Sequence, residues 1–238
     1  MSSTLESVKW GKSALELIKH TWELDPNVPA VMQIRHSERL PVTKRSEMNL
    51  PLTDTGEKTA YEFGSKLPPE RKYYLHYTSV ERTQKTASKL HEGVIDNKGI
   101  SEIVGILPVT SVIDIEANAN IAMQIKKGIE DDEGSRKYFY HWLSGLVPPW
   151  VREPSLEFSQ QAAYTMIKNL REAKPKDMHI WVSHDAWVAP FLLHWLGECS
   201  FNWVSFMDGF ILQFYESYMV SFFRGEKKKV EYPYWWRF

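Results

Sequence analysis

The residues best suited to chemistry stand at the ends of apolar runs. Gln33-Ile34-Arg35-His36-Ser37-Glu38-Arg39-Leu40-Pro41 closes one run, and Trp181-Val182-Ser183-His184-Asp185 closes a later one. A third run ends at Thr78-Ser79, and Arg82 follows three residues on. If these runs are parallel strands, their ends project at one edge of a sheet, where such sheets bind ligands. Arg35, Arg39, Arg82, His36 and His184 then surround one pocket. That cluster repels itself unless an anion lies within it. Guanidinium forks match phosphate oxygens in a bidentate way. A neutral imidazole among them is placed to attack phosphorus and form a phosphohistidine.

The elements that must position these residues alternate. Residues 4–20 have loosely helical apolar spacing, and residues 30–35 read as a short buried strand. Thr53-Asp54-Thr55-Gly56-Glu57 opens a helix that Pro68-Pro69 stops. Residues 73–77 read as a strand, and 81–92 as a helix ending at Gly93. Residues 110–115 are β-branched and strand-like. Residues 119–127, 136–144 and 157–173 read as helices, and 179–183 as a strand followed by a helix ending near Gly197. Residues 210–215 and 218–223 form a hairpin pattern. The alternation predicts an α/β fold: a three-layer sandwich with a mainly parallel central sheet and helices on both faces. A small helical cap is expected at about residues 95–165, inserted in a single catalytic domain spanning 1–238.

Arg35-His36-x-x-Arg39-x-Pro41 together with His184-Asp185 resembles the histidine phosphatase superfamily. It is most similar to the histidine acid phosphatase branch, whose signature is R-H-G-x-R-x-P near the N-terminus and H-D towards the C-terminus. Leu52-Thr53-x-x-Gly56 and Thr78-Ser79-x-x-Arg82-Thr83-x-x-Thr86-Ala87 match further features in the same order. Ser37 stands where the branch has glycine, and the chain is short for that branch. The resemblance implies a phosphoglycerate mutase-like fold and hydrolysis of a small phosphate monoester. It makes His36 the nucleophile, with Arg35, Arg39, Arg82 and His184 holding the phosphoryl group. Asp185 is then the general acid, and afterwards the base that activates water. An ordinary aspartate has a pKa of about 3.9; burial or a bound phosphate raises it, and the arginines lower it. Glu116, in Asp114-Ile115-Glu116-Ala117-Asn118, is the alternative acid, as in the phosphoglycerate-mutase-like branch. The alternatives to a phosphatase are a phosphotransferase using Glu116, and a catalytically silent anion-binding scaffold in which Ser37 is the first lesion.

Composition excludes other classes. The chain has 238 residues, with 29 Lys plus Arg against 30 Asp plus Glu. That balance lacks the basic excess of a nucleic-acid binder. An aromatic share of 13% argues against disorder. No long apolar run suggests a membrane span, and no secretory signal is read at the N-terminus, so a cytoplasmic protein is expected. The single cysteine, Cys199, allows no intrachain disulfide. No ligand set for zinc is complete, so neither metal nor cofactor is expected. His20, His76, His91, His141, His179 and His194 read as structural or exposed, and Lys227-Lys228-Lys229 as a solvated turn. Trp181, Trp187 and Trp195 read as core. Trp142 and Trp150 fall in the expected cap, where they could wall an apolar substrate. Trp235 and Trp236 must be covered, either by their own domain or by a second copy in a homodimer.

Overall fold

The computed structural model describes residues 3–41, 50–107, 132–198 and 202–236. Its centre is built by two strands that have no exposed face. β1 (Ala30–Arg35) and β4 (Asp177–Ser183) are buried almost throughout. They pair in parallel from Ala30 opposite Met178 to Arg35 opposite Ser183. Mainly apolar strands such as these, buried on both faces, suit a sheet covered on both sides. β2 (Lys72–Tyr77) flanks β4, and β3 (Ile100–Ile106) flanks β2, both in parallel. On the other side β5 (Gly209–Phe214), β6 (Tyr218–Phe223) and β7 (Glu226–Glu231) continue as an antiparallel meander. The order among the described residues is β3-β2-β4-β1-β5-β6-β7.

Alternation along the strands divides the core. Met32, Ile34, Leu75, Ile180 and Ile211 face one side. There they meet α2 (Gly11–Thr21), α3 (Asp54–Ser65) and α4 (Glu81–Asp96), which follow the short α1 (Thr4–Ser7). Val31, Trp181, Phe210 and Leu212 face the other side. They meet α5 (Asp132–Leu143), α6 (Ser155–Arg171) and α7 (Asp185–His194). α7 is apolar all round and correspondingly buried from Ala186 to Leu192. The chain thus leaves β1 towards one face and the neighbouring β4 towards the other. That divergence opens a crevice between the carboxyl ends of β1 and β4.

Several elements depart from the expectations. The helix beginning at Glu81 does not stop at Gly93 but continues to Asp96. A Cβ at Gly93 would lie 2.1 Å from the Tyr61 carbonyl of α3, so that glycine serves close helix crossing. Of the cap expected at about 95–165, Ile100–Ile106 is a strand of the central sheet, and Ser155–Arg171 belongs to a covering layer. The strand read at 110–115 and the helix read at 119–127 lie outside the described residues. Trp142 is no substrate wall: it is buried, with the Arg152 guanidinium 3.5 Å from its ring centroid. Lys227-Lys228-Lys229 is not a turn but the middle of β7. Lysines on an edge strand discourage pairing with another sheet. Trp236 is buried within the chain and Trp235 half-buried, whereas Tyr234 is exposed. Trp236 packs on Trp195 at 4.8 Å between ring centroids and stacks with Phe214 and Tyr232. No described helix is long and apolar enough to cross a membrane.

Candidate active site

His36 follows β1 directly, and its backbone N–H donates to the Ser183 carbonyl at the end of β4 (2.8 Å). Its ring is buried. Nδ1 lies 2.7 Å from the Ser37 carbonyl, which can only accept, so Nδ1 carries the proton. The lone pair is then on Nε2, where Arg82 donates its Nε–H at 2.9 Å. Burial holds the imidazole well below its usual pKa, and the charges of Arg82, Arg35 and His184 push the same way. A neutral ring with a lone pair facing a guanidinium is the form a nucleophilic histidine needs.

His184 stands just beyond β4, its ring centroid 5.5 Å from that of His36. Arg82 Nη2 donates towards its Nδ1 at 3.3 Å. The proton is therefore on Nε2, which donates to Thr78 Oγ1 at 3.0 Å. Burial, reinforced by Arg82, lowers the affinity of His184 for a second proton. One guanidinium thus addresses both histidines. Its own pKa falls to about 10 through burial, then through Arg39 and Arg35, with Asp185 opposing. It remains charged at neutral pH, and a bound anion would relieve the repulsion among these cations.

The framework around the pair is made of threonines. Thr78 and Thr83 bond to each other (2.9 Å) where β2 enters α4, fixing the turn that carries Arg82. Thr86, one helical turn on, accepts from the Ser37 N–H at 3.1 Å. Thr53 caps α3 by accepting the Gly56 N–H and donates its hydroxyl to Glu38. A Cβ on Gly56 would lie 2.1 Å from the Glu38 carbonyl, so only glycine lets α3 approach the loop behind His36. Ser37 fits without strain. It is absent from the described positive-φ residues, and its buried hydroxyl bonds to Thr59 Oγ1 at 3.0 Å.

Asp185 is the first residue of α7. One oxygen accepts the Ala186 N–H and the other accepts the Trp203 indole N–H, both at 2.8 Å. Arg35 Nη2 lies 3.3 Å from the second oxygen. Burial alone would raise this carboxyl. Arg35, the Trp203 and Ala186 donors and His184 together bring it below the usual aspartate value. Arg35 also donates to the Val204 carbonyl (2.7 Å) and lies 4.6 Å from the Phe206 ring centroid.

The structure therefore gathers Arg35, His36, Arg82, His184 and Asp185 at the crevice. Arg39 bonds to the Leu40 carbonyl and reaches the group through its field on Arg82. Glu116 lies outside the described residues. Thr78, Trp203 and Phe206 had no site role in the sequence reading. Thr78 could have been sought as a partner in its T-S-x-x-R-T motif. Trp203 and Phe206 carry no motif, and only the fold brings them to the site.

No protein-family model and no curated protein matches the sequence. Solved structures do resemble it. Phosphoglycerate mutase from Bacillus anthracis aligns with a TM-score of 0.50 at 14% identity, covering 89% of this chain and 95% of that one. Phosphoserine phosphatase from Entamoeba histolytica gives 0.49 at 15% identity, covering 86% and 96%. A mycobacterial glucosyl-3-phosphoglycerate phosphatase gives 0.46 at 13%, covering 85% and 97%. The likeness to the mutase, with the sheet order above, shows that the chain has the phosphoglycerate mutase-like fold.

Proposed function

We propose that the protein is a phosphatase that hydrolyses a phosphate monoester through a covalent phosphohistidine on His36. The observation that carries this reading is the unprotonated Nε2 of His36, held beside the Arg82 guanidinium with Arg35 and His184 around it. Substrate phosphate draws the Arg82 donor off that lone pair and onto its own oxygens. Nε2 then attacks phosphorus as the bond to the ester oxygen breaks, and a protonated Asp185 supplies the proton to the leaving oxygen. Water next attacks phosphorus and gives its proton to the Asp185 carboxylate. The phosphorus–nitrogen bond breaks, and His36 recovers its lone pair as inorganic phosphate leaves. Arg35, Arg39, Arg82 and His184 stabilise the charge on the equatorial oxygens in both steps.

The ordered R-H-x-x-R-x-P and H-D motifs support hydrolysis of the acid-phosphatase type. Phe206 and Trp203 beside Arg35 and Asp185 favour a small, partly apolar ester. One observation favours a second reading. In both described hydrogen bonds Asp185 accepts, from the Ala186 and Trp203 N–H groups, which suits the carboxylate better than the acid. A phosphotransferase using Glu116 as the acid follows from that. Rapid quenching of a p-nitrophenyl phosphate reaction run in chelator tests the main reading. A phosphorylated His36 peptide is expected, and no turnover from acid to neutral pH would sink it. Asp185→Asn compared with Glu116→Gln on an ester with a poor leaving group decides the acid.

A further inference from the structure

The segment Asn202–Asp208 grips both Arg35 and Asp185. Asp208 is fully buried, takes both Arg224 Nη2 (2.7 Å) and Nε (3.2 Å), and accepts the Arg35 backbone N–H on its carbonyl at 2.9 Å. Arg224 Nη2 also donates to the carbonyls of Asn202 and Trp203. The segment is therefore tied at both ends to Arg224, just after β6, and at its Asp208 end to the carboxyl end of β1. Between those ties the Trp203 indole reaches Asp185. It does so from within an aromatic stack on α5, with Phe139 at 5.8 Å and 23° and Tyr140 at 5.2 Å and 73° between rings. A rigid ring of this kind loses little conformational freedom when it fixes a hydrogen bond.

We propose that Trp203 is the positioning residue of Asp185, its stacked indole fixing the direction of the carboxylate through the N–H bond. The inference rests on Asp185 being the acid–base group of the proposed reaction. The Ala186 N–H holds one oxygen as part of the helix start, so the other oxygen, shared by Trp203 and Arg35, faces the crevice. A donor to the carboxylate favours its ionised form, so removing that donor raises the proton affinity. The charged and titratable groups that face Asp185 are Arg35 from β1, His184 at the foot of α7 and Arg82 from α4; the Asp208–Arg224 pair lies behind the segment. All of them survive in Trp203→Phe, which keeps a ring against Phe139 and Tyr140 while removing the N–H together with the indole's five-membered ring.

The test uses the full chain. In Trp203→Phe, kcat/KM for phenyl phosphate, a poor leaving group, is expected to fall about tenfold. Its alkaline limb, set by protonated Asp185, is expected to move up by about one pH unit. In an Asp185→Asn background the same change is expected to add nothing. Phe139→Leu, which loosens the indole without touching Asp185, should move the limb the same way by less. Indole NMR gives a readout independent of activity. The Trp203 N–H resonance, assigned by its loss in Trp203→Phe, should move upfield at neutral pH in Asp185→Asn. An unmoved resonance, or a Trp203→Phe loss equally large in the Asp185→Asn background, overturns the proposal. Wild-type protein without turnover sinks the phosphatase reading instead, and the resonance alone then judges the pair.

Discussion

Two pairs of contacting histidines lie among the described residues, and they teach different things. His36 and His184 meet edge-on at 5.5 Å, beyond the ends of β1 and β4. His76 and His179 stack at 5.2 Å inside β2 and β4, with His76 Nε2 bonded to His179 Nδ1 at 3.0 Å. Burial lowers the pKa of every one of the four, His76 to about 4. Burial and weak basicity are thus shared and cannot mark catalysis. The difference lies in the ring nitrogens. The inner pair spends a nitrogen of each ring on the other, beneath Tyr74 and Trp181. In the outer pair Arg82 donates to both rings, at the edge of the sheet where a ligand can enter. A mid-strand position suits a structural pair, and the strand-end pair with its arginine is the one the proposed reaction uses.

The largest effect that separates the pairs should come from the nucleophile. His36→Ala is expected to lower kcat on p-nitrophenyl phosphate by about a thousandfold or more, whereas His76→Leu keeps it within about twofold. Comparable losses in both variants, in proteins of equal melting temperature, would erase the distinction. Next comes Arg82→Ala, which removes the donor shared by both outer rings. It should cost about a hundredfold to a thousandfold in kcat, read in the same assay, and weaken inhibition by vanadate. An Arg82→Ala enzyme with full activity would show that the guanidinium only fills space. By contrast, His179→Leu should leave kcat and KM alone and cost stability. It strips His76 Nε2 of its partner, worth about 1–3 kcal/mol, or roughly 2–4 °C in melting temperature per kcal/mol for a chain of this size.

The same contrast explains what the sequence disclosed. The outer pair was legible because its residues follow strand-like runs and sit in ordered motifs with Arg35, Arg39 and Arg82. The parallel core was legible too, since β1 carries Ala30-Val31-Met32 and Ile34, and β4 carries Ile180-Trp181-Val182. β3 escaped notice because it is an edge strand. Ile100, Ile103, Val104 and Ile106 are exposed, so no alternation marks a buried face. β7 escaped because its lysines read as a turn, although charge on an edge strand is a common protection. Trp203 was silent for a different reason. Its partner Asp185 is 18 residues away, and only the packing of α5, α7 and the strand ends brings them together. Ser37 read as a possible lesion, because nothing local reveals that Thr59 receives its hydroxyl.

The smallest effect is also the sharpest test of the inner pair. Replacing one member orphans a buried nitrogen, but replacing both removes donor and acceptor together. His76→Leu with His179→Leu should therefore be close to wild type in stability at neutral pH. Acid should then distinguish them. The native state holds His76 at about 4, whereas an unfolded histidine titrates near 6.5. Between those values the unfolded chain binds more protons than the native one, so wild-type stability falls as pH drops through that window. The full loss for His76 is about 3 kcal/mol. The double variant lacks that term while keeping the acid response of His36 and His184. Its urea midpoint should therefore decline less steeply from neutral pH to pH about 4 than that of the wild type. Parallel curves would mean that the inner histidines do not titrate differently on folding. Burial would then not be what keeps them neutral.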